Sequence, residues 1–139
     1  MAVNTAITSA TAACDIANAN TLKVYERKID FSVNNLASGA WFQIFTLPAG
    51  ATVIAGSLQI NTLDAGGGTI SLGIGGTGTE LTNAQATSAA TCVKVTAGGV
   101  TTTTAADTID LSAGTAALTT CVATVRLLVL EAGPTVTAG

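Results

Sequence analysis

Asp107 and Asp110 are the most closely spaced carboxylates that could share a proton or grip a cation. Three residues apart on an extended chain, they point to opposite faces and do not converge on one proton or one metal, so turn and edge roles are expected. Asp64, next to Ala65-Gly66, has the setting of a loop calcium ligand, but no D-x-D-x-D-G spacing supplies the other oxygens. Cys14, Cys92 and Cys121 are far apart and contain no C-x-x-C, which argues for free thiols over a zinc site or disulfide framework. A single Cys92–Cys121 bridge is the remaining alternative. Gly73-Ile74-Gly75-Gly76-Thr77-Gly78 satisfies G-x-G-x-x-G and follows a predicted strand. A dinucleotide fold also needs a helix at the third glycine, parallel βαβ repetition and an acidic residue about 20 positions on, where this chain has Gly98-Gly99. A flexible turn is the better reading. Thr101 to Thr104 would line both faces of a strand with hydroxyls, but ice or glycan binding needs such arrays repeated, and no fixed period is present.

Histidine is absent, and with it the commonest general base and metal ligand and every Ser/His/Asp or Cys/His arrangement. An enzyme is therefore not expected, and neither is a cofactor. The net charge is -3 with five basic residues, Lys23, Arg27, Lys28, Lys94 and Arg126, which leaves no footprint for phosphate backbones and excludes nucleic acid as a partner. Charged residues make up 9% of the chain, against about 25% in an ordinary soluble domain. Thr, Ser, Asn and Gly take their place. Such a neutral surface is poorly protected against association, so the chain is expected to work inside an assembly.

The elements that would position these residues belong to one domain, since 139 residues support a single core. No signal peptide is expected in residues 1–20, and Ala116 to Ala132, interrupted by Arg126 and Thr, is too short and too polar to span a bilayer, so no membrane partner is expected. Residues 1–21 are read as an irregular arm held by its own domain or by a neighbouring subunit, 22–132 as the folded domain and 133–139 as a tail.

From Leu22 the chain alternates, with Leu22, Val24, Ile29, Phe31 and Val33 on one side and an irregularity near Glu26. Five charged residues, Lys23, Glu26, Arg27, Lys28 and Asp30, interleave with them and suit an exposed edge or a polar contact. Ala40 to Leu47 is the most aromatic strand, with Trp41, Gln43 and Phe45 expected on one face and Phe42, Ile44 and Thr46 on the other. Two strands separated by Gly56 follow, Thr52 to Ala55 and Ser57 to Leu63, then Thr69 to Ile74. Thr79 to Ala90 is undecided between helix and loop. Strands are expected at Thr91 to Thr96, Val100 to Thr104, Thr108 to Leu111 and Cys121 to Leu130, the last apolar on both faces apart from Arg126 and so covered on both. About eight to ten short strands with Gly-rich turns indicate an all-β, antiparallel β-sandwich of jelly-roll type.

Phe45-Thr46-Leu47-Pro48-Ala49-Gly50-Ala51-Thr52-Val53-Ile54-Ala55-Gly56, then Ile70-Ser71-Leu72-Gly73 and Asp107-Thr108-Ile109-Asp110-Leu111, give the chain from residue 36 to 131 a pattern that resembles capsid decoration, or cement, proteins of tailed bacteriophages. The resemblance implies a non-enzymatic virion protein, assembled in the bacterial cytoplasm, that binds the outer capsid surface as a homotrimer at three-fold or quasi-three-fold positions. There it would cement adjacent copies of the major capsid protein. The residues expected at the interface are Lys23, Tyr25, Glu26, Arg27, Lys28, Asp30, Trp41 and Phe45, with residues 1–20 adding contacts to shell or neighbours. The alternative is a head-fibre, tail or cell-surface adhesin module of the same β class.

Overall fold

The computed structural model describes residues 21–75, 79–95, 101–102 and 105–131. The expected arm and tail, Cys14, the end of the glycine motif at 76–78 and Thr103–Thr104 lie outside the described residues. Nine strands are found among them: β1 (Thr21–Asp30), β2 (Trp41–Leu47), β3 (Thr52–Thr62), β4 (Thr69–Ile74), β5 (Thr82–Ala86), β6 (Cys92–Lys94), β7 (Thr101–Thr102), β8 (Asp107–Gly114) and β9 (Val122–Glu131). They form two antiparallel sheets, one in the order β1-β9-β3-β6 with β7 also on β3, the other in the order β2-β8-β4-β5. Pairing is nested: β1 with β9, β2 with β8, β3 with β6, β4 with β5. A chain folded once at its middle into a long hairpin and then rolled into two layers has this pattern, which is the jelly roll.

The inward faces follow from the period of two. Ala123, Val125, Leu127 and Val129 of β9, with Val53, Leu58 and Ile60 of β3, meet Ile70 and Leu72 of β4 and Ile109, Leu111 and Ala113 of β8 in one core. Leu36 and Leu118 exchange backbone bonds of 3.0 and 2.8 Å and extend this core beyond the strands.

Several local expectations are corrected. β1 pairs with β9 in unbroken register from Thr21 to Asp30, so there is no irregularity at Glu26. The strand ends where the Asp30 carboxylate accepts from the Ser32 backbone N–H at 2.9 Å and its hydroxyl at 2.6 Å, a side-chain turn that leaves Val33 74% exposed rather than in line with Ile29 and Phe31. β3 is one strand, not two. Gly56 lies within it, directly opposite Leu127, because the space a Cβ would need is filled by β9.

Bulges account for two further differences. In β2 the register with β8 shifts between Gln43 and Phe45, which makes Ile44 the extra residue and turns both Ile44 and Phe45 inward. Trp41, Gln43 and Thr46 therefore share the outer face, where Gln43 donates to the Thr46 hydroxyl at 2.8 Å. Thr79 to Ala90 holds β5, neither a helix nor simply a loop, with a register irregularity opposite β4 and Ala84 at φ 52°. Ser71 accepts from the Ala84 backbone N–H at 2.9 Å, and the Thr87 hydroxyl donates to the Gly68 carbonyl at 2.6 Å. These side-chain bonds compensate for the ladder bonds a bulge interrupts.

Candidate functional site

β1 and β2 are the edges of their respective sheets and lie on the same side of the sandwich. The ring of Tyr25 meets Phe45 edge-on at 5.4 Å between centroids, and Phe31 meets Phe42 at 6.1 Å. Between these contacts Arg27 donates from a guanidinium nitrogen to the Ile44 carbonyl at 2.8 Å. The bulge that displaces Ile44 from the β8 register thus leaves its carbonyl to be satisfied by a cation from the other sheet. Phe45 and Arg27 are both engaged within the chain, joining the two edges into one wall.

Charge along β1 is distributed by face. Lys23 and Tyr25 point inward and converge on Glu131 at the end of β9, Lys23 at 2.9 Å and Tyr25 through its hydroxyl. Hydrogen bonding to the Glu131 carboxylate, then burial, push the Tyr25 phenol up to about 12. The same bond, with the Lys23 ammonium, holds Glu131 below its ordinary value. Glu26 and Lys28 are exposed on the outer face, where Glu26 pairs with Arg126 and Arg126 reaches on to Gln59 at 3.1 Å. Asp30 sits below its ordinary value because the Ser32 hydroxyl and backbone N–H donate to it.

Where β1 turns away, Arg27, Lys28, Asp30, Asn34, Asn35 and Phe42 line an open cleft of about 440 Å³. All eight residues singled out from sequence lie on these two edge strands, six on β1 and Trp41 and Phe45 on β2, where Trp41 is 49% exposed on the outer face of its sheet. A ten-residue edge strand carrying mixed charge, flanked by an exposed tryptophan, is suited to contact with another polypeptide. Sequence reasoning did not find Arg27's bond to Ile44, since nothing in the local pattern marks the bulge.

The remaining candidates resolve into structural roles. Asp64 is buried, and its Oδ1 accepts from the backbone N–H groups of Thr119, Thr120 and Cys121 at 2.8, 2.9 and 3.2 Å, while Oδ2 accepts from Gly66 at 3.0 Å. Burial pushes this carboxyl up, but the backbone donors outweigh it and hold it below the ordinary value. Its lone pairs face N–H donors, so it fastens the loop after β3 to the loop before β9 and has no calcium-like surroundings. Asp107 is exposed and accepts from the Thr108 N–H at 2.8 Å, whereas Asp110 is buried and accepts from the Thr108 hydroxyl at 2.7 Å. Cys92 is exposed and Cys121 buried, both as free thiols, which corrects the bridge considered between them. β4 ends at Gly73-Ile74, and the next described element is β5, a strand where a dinucleotide fold would place a helix. Among the described residues no three acidic, Cys or His side chains come together to hold a metal, and no helix is long and apolar enough to cross a membrane.

No family model matches the chain, and no curated protein matches it in sequence. Solved structures do match in fold. A chain in the capsid asymmetric unit of cyanophage Pam1 is 22% identical with a TM-score of 0.63, over 84% of this chain and 87% of that one. A chain in the capsid of Ralstonia phage GP4 gives 19% and 0.64, over 84% and 88%. One in the acid-stable capsid of Helicobacter pylori bacteriophage KHP30 gives 15% and 0.61, over 81% and 89%. Over more than four fifths of its length, this chain is thus similar in fold to chains found in three phage capsids.

Proposed function

We propose that the chain is a non-enzymatic structural protein of a phage virion, which binds the outer capsid surface as a homotrimer and cements adjacent major capsid protein subunits. The observation that carries this reading is the match of almost the whole jelly roll to chains of three phage capsid structures. The sparse charge of the chain and the wall formed by β1 and β2 support it. Cementing needs only complementary surface added across a subunit seam, and symmetry multiplies a modest contact into a stable lattice. Lys28, Glu26 and Trp41 are the residues assigned to the shell contact, because they are exposed and their removal leaves the core intact. Tyr25, Arg27 and Phe45 brace that wall by joining the two sheets, Lys23 meets Tyr25 at Glu131, and Asp30 closes the end of β1 through Ser32. Light scattering tests the assembly state: the 13.6 kDa chain should have the mass of three copies in solution. A stable monomer that also fails to bind shells would refute the proposal.

A further inference from the structure

β1 ends its sheet, and one side of its backbone has no partner strand among the described residues. The Phe31 N–H donates to the Cys121 carbonyl at 2.9 Å, in step with the β1–β9 register. In an antiparallel ladder each residue turns its N–H and its C=O to the same side, and the side alternates along the strand. Tyr25, Arg27 and Ile29 therefore bond to β9, whereas Leu22, Val24, Glu26 and Lys28 point their backbone groups outward, away from it. The side chains of these four lie on the outer face of the sheet. Leu22 and Val24 stand opposite Leu130 and Leu128 and are 57% and 70% exposed, so two aliphatic rows run to the edge and stop there. Glu26 is paired with Arg126, but Lys28 makes no ion pair among the described residues.

We propose that this edge takes an extended segment of the shell polypeptide as an additional antiparallel strand, a mode of contact that rests on the cementing role proposed above. The segment that fits has an acidic residue opposite Lys28 and aliphatic residues opposite Val24 and Leu22, four and six positions further along its own sequence. Ladder bonds supply the affinity, and these side chains select the segment. A second copy of β1 fits poorly. In the antiparallel register that sets Lys28 against Glu26 of another copy, Arg27 faces Arg27 and Val24 faces Asp30. The register that sets Leu22 against Val24 brings Lys23 against Lys23 and overlaps only Thr21 to Tyr25. Like charges directly opposite one another oppose pairing, so the mixed charge of β1 discourages self-association and leaves the edge for a different chain.

Hydrogen exchange on the full chain, free and bound to empty phage capsid shells, tests it. In the free chain the amides of Val24, Glu26 and Lys28 should exchange fast and those of Tyr25, Arg27 and Ile29 slowly; on shells the first set should slow by at least about ten-fold. Val24→Pro removes one outward N–H and no bond to β9, so it should bind shells about ten-fold more weakly while the β9 amides keep their protection. Lys28→Glu should weaken binding as well, and Lys28→Arg should not. Binding of the wild-type chain without slowing of the edge amides, or indifference to Val24→Pro and Lys28→Glu, would overturn the proposal and leave the cementing role standing. Failure of the folded wild-type chain to bind shells would overturn both. Edge amides already slow in the free chain would assign the edge to the chain itself or to a second copy and overturn the proposal.

Discussion

Removing the Asp64 carboxylate should be the most damaging change of a single polar group in this fold. Its two oxygens accept four backbone N–H bonds of 2.8 to 3.2 Å, three of them from consecutive residues of the loop that leads into β9. Asp64→Ala leaves those donors without acceptors, at about 1 kcal/mol or more for each one that stays buried. Thr119 and Thr120 are exposed enough for water to replace part of the loss, whereas the Cys121 N–H is buried. The sum is about 2–4 kcal/mol, a shift of roughly 1–2 M in the urea midpoint at unchanged slope. Asp64→Asn keeps one acceptor oxygen and loses the bond to Gly66, so about half that loss is expected. The pH dependence supplies a second check. Because the folded carboxyl is held below its ordinary value, its contribution is complete above the unfolded value near 4 and is lost as pH falls through the folded one. The stability gap between wild type and Asp64→Ala should therefore narrow in acid. A gap under about 0.5 kcal/mol at pH 7, or one that stays constant into strong acid, would refute the reasoning.

Gly56→Ala should destabilise the protein by about 1–3 kcal/mol in the same denaturation assay, because a Cβ there stands 2.9 Å from Leu127 Cδ2 and collides with the Arg126 carbonyl. Tyr25 is the only tyrosine, so an absorbance titration reads it alone: the midpoint should lie near 12 and move back toward 10 in Glu131→Gln. With the folded value raised, this group's contribution is complete below pH 10 and is lost as pH rises toward 12. Burial, with the nearby Asp64 charge, pushes the Cys121 thiol up to about 11, so a thiol reagent at neutral pH should modify Cys92 promptly and Cys121 only on unfolding, as peptide mass analysis would show.

What was legible in the sequence was the period of two. β4 alternates in sequence and turns Ile70 and Leu72 to the core, β9 turns Ala123, Val125, Leu127 and Val129 there while carrying apolar residues on both faces, and the charged run from Lys23 to Asp30 is an exposed edge. What escaped were features set by partners distant in sequence. The bulges at Ile44, Ile54 and Asn61 arise from pairing with β8 or β9, so no local pattern announces them, and the first of these reversed the expected facing of Phe45. β5 is held by Ser71 and the β4 ladder against its own weak strand propensity. Asp64 stood out as a carboxylate, but its role depends on N–H groups 55 to 57 residues away. Tyr25, Arg27 and Phe45 form one wall through the Tyr25–Phe45 ring contact and the Arg27–Ile44 bond, neither of which a local pattern marks.

The proposed virion role is tested most directly by co-sedimentation of the purified chain with empty phage capsid shells. Wild-type protein should bind at a fixed ratio to capsid subunits and saturate. Glu26→Lys/Lys28→Glu keeps the net charge and gives up one exposed ion pair worth at most about 1 kcal/mol, so it should fold normally and bind at least ten-fold more weakly, on the order of 1.4 kcal/mol. Folded wild-type protein that remains in the supernatant across the whole range of shell concentrations would contradict the account.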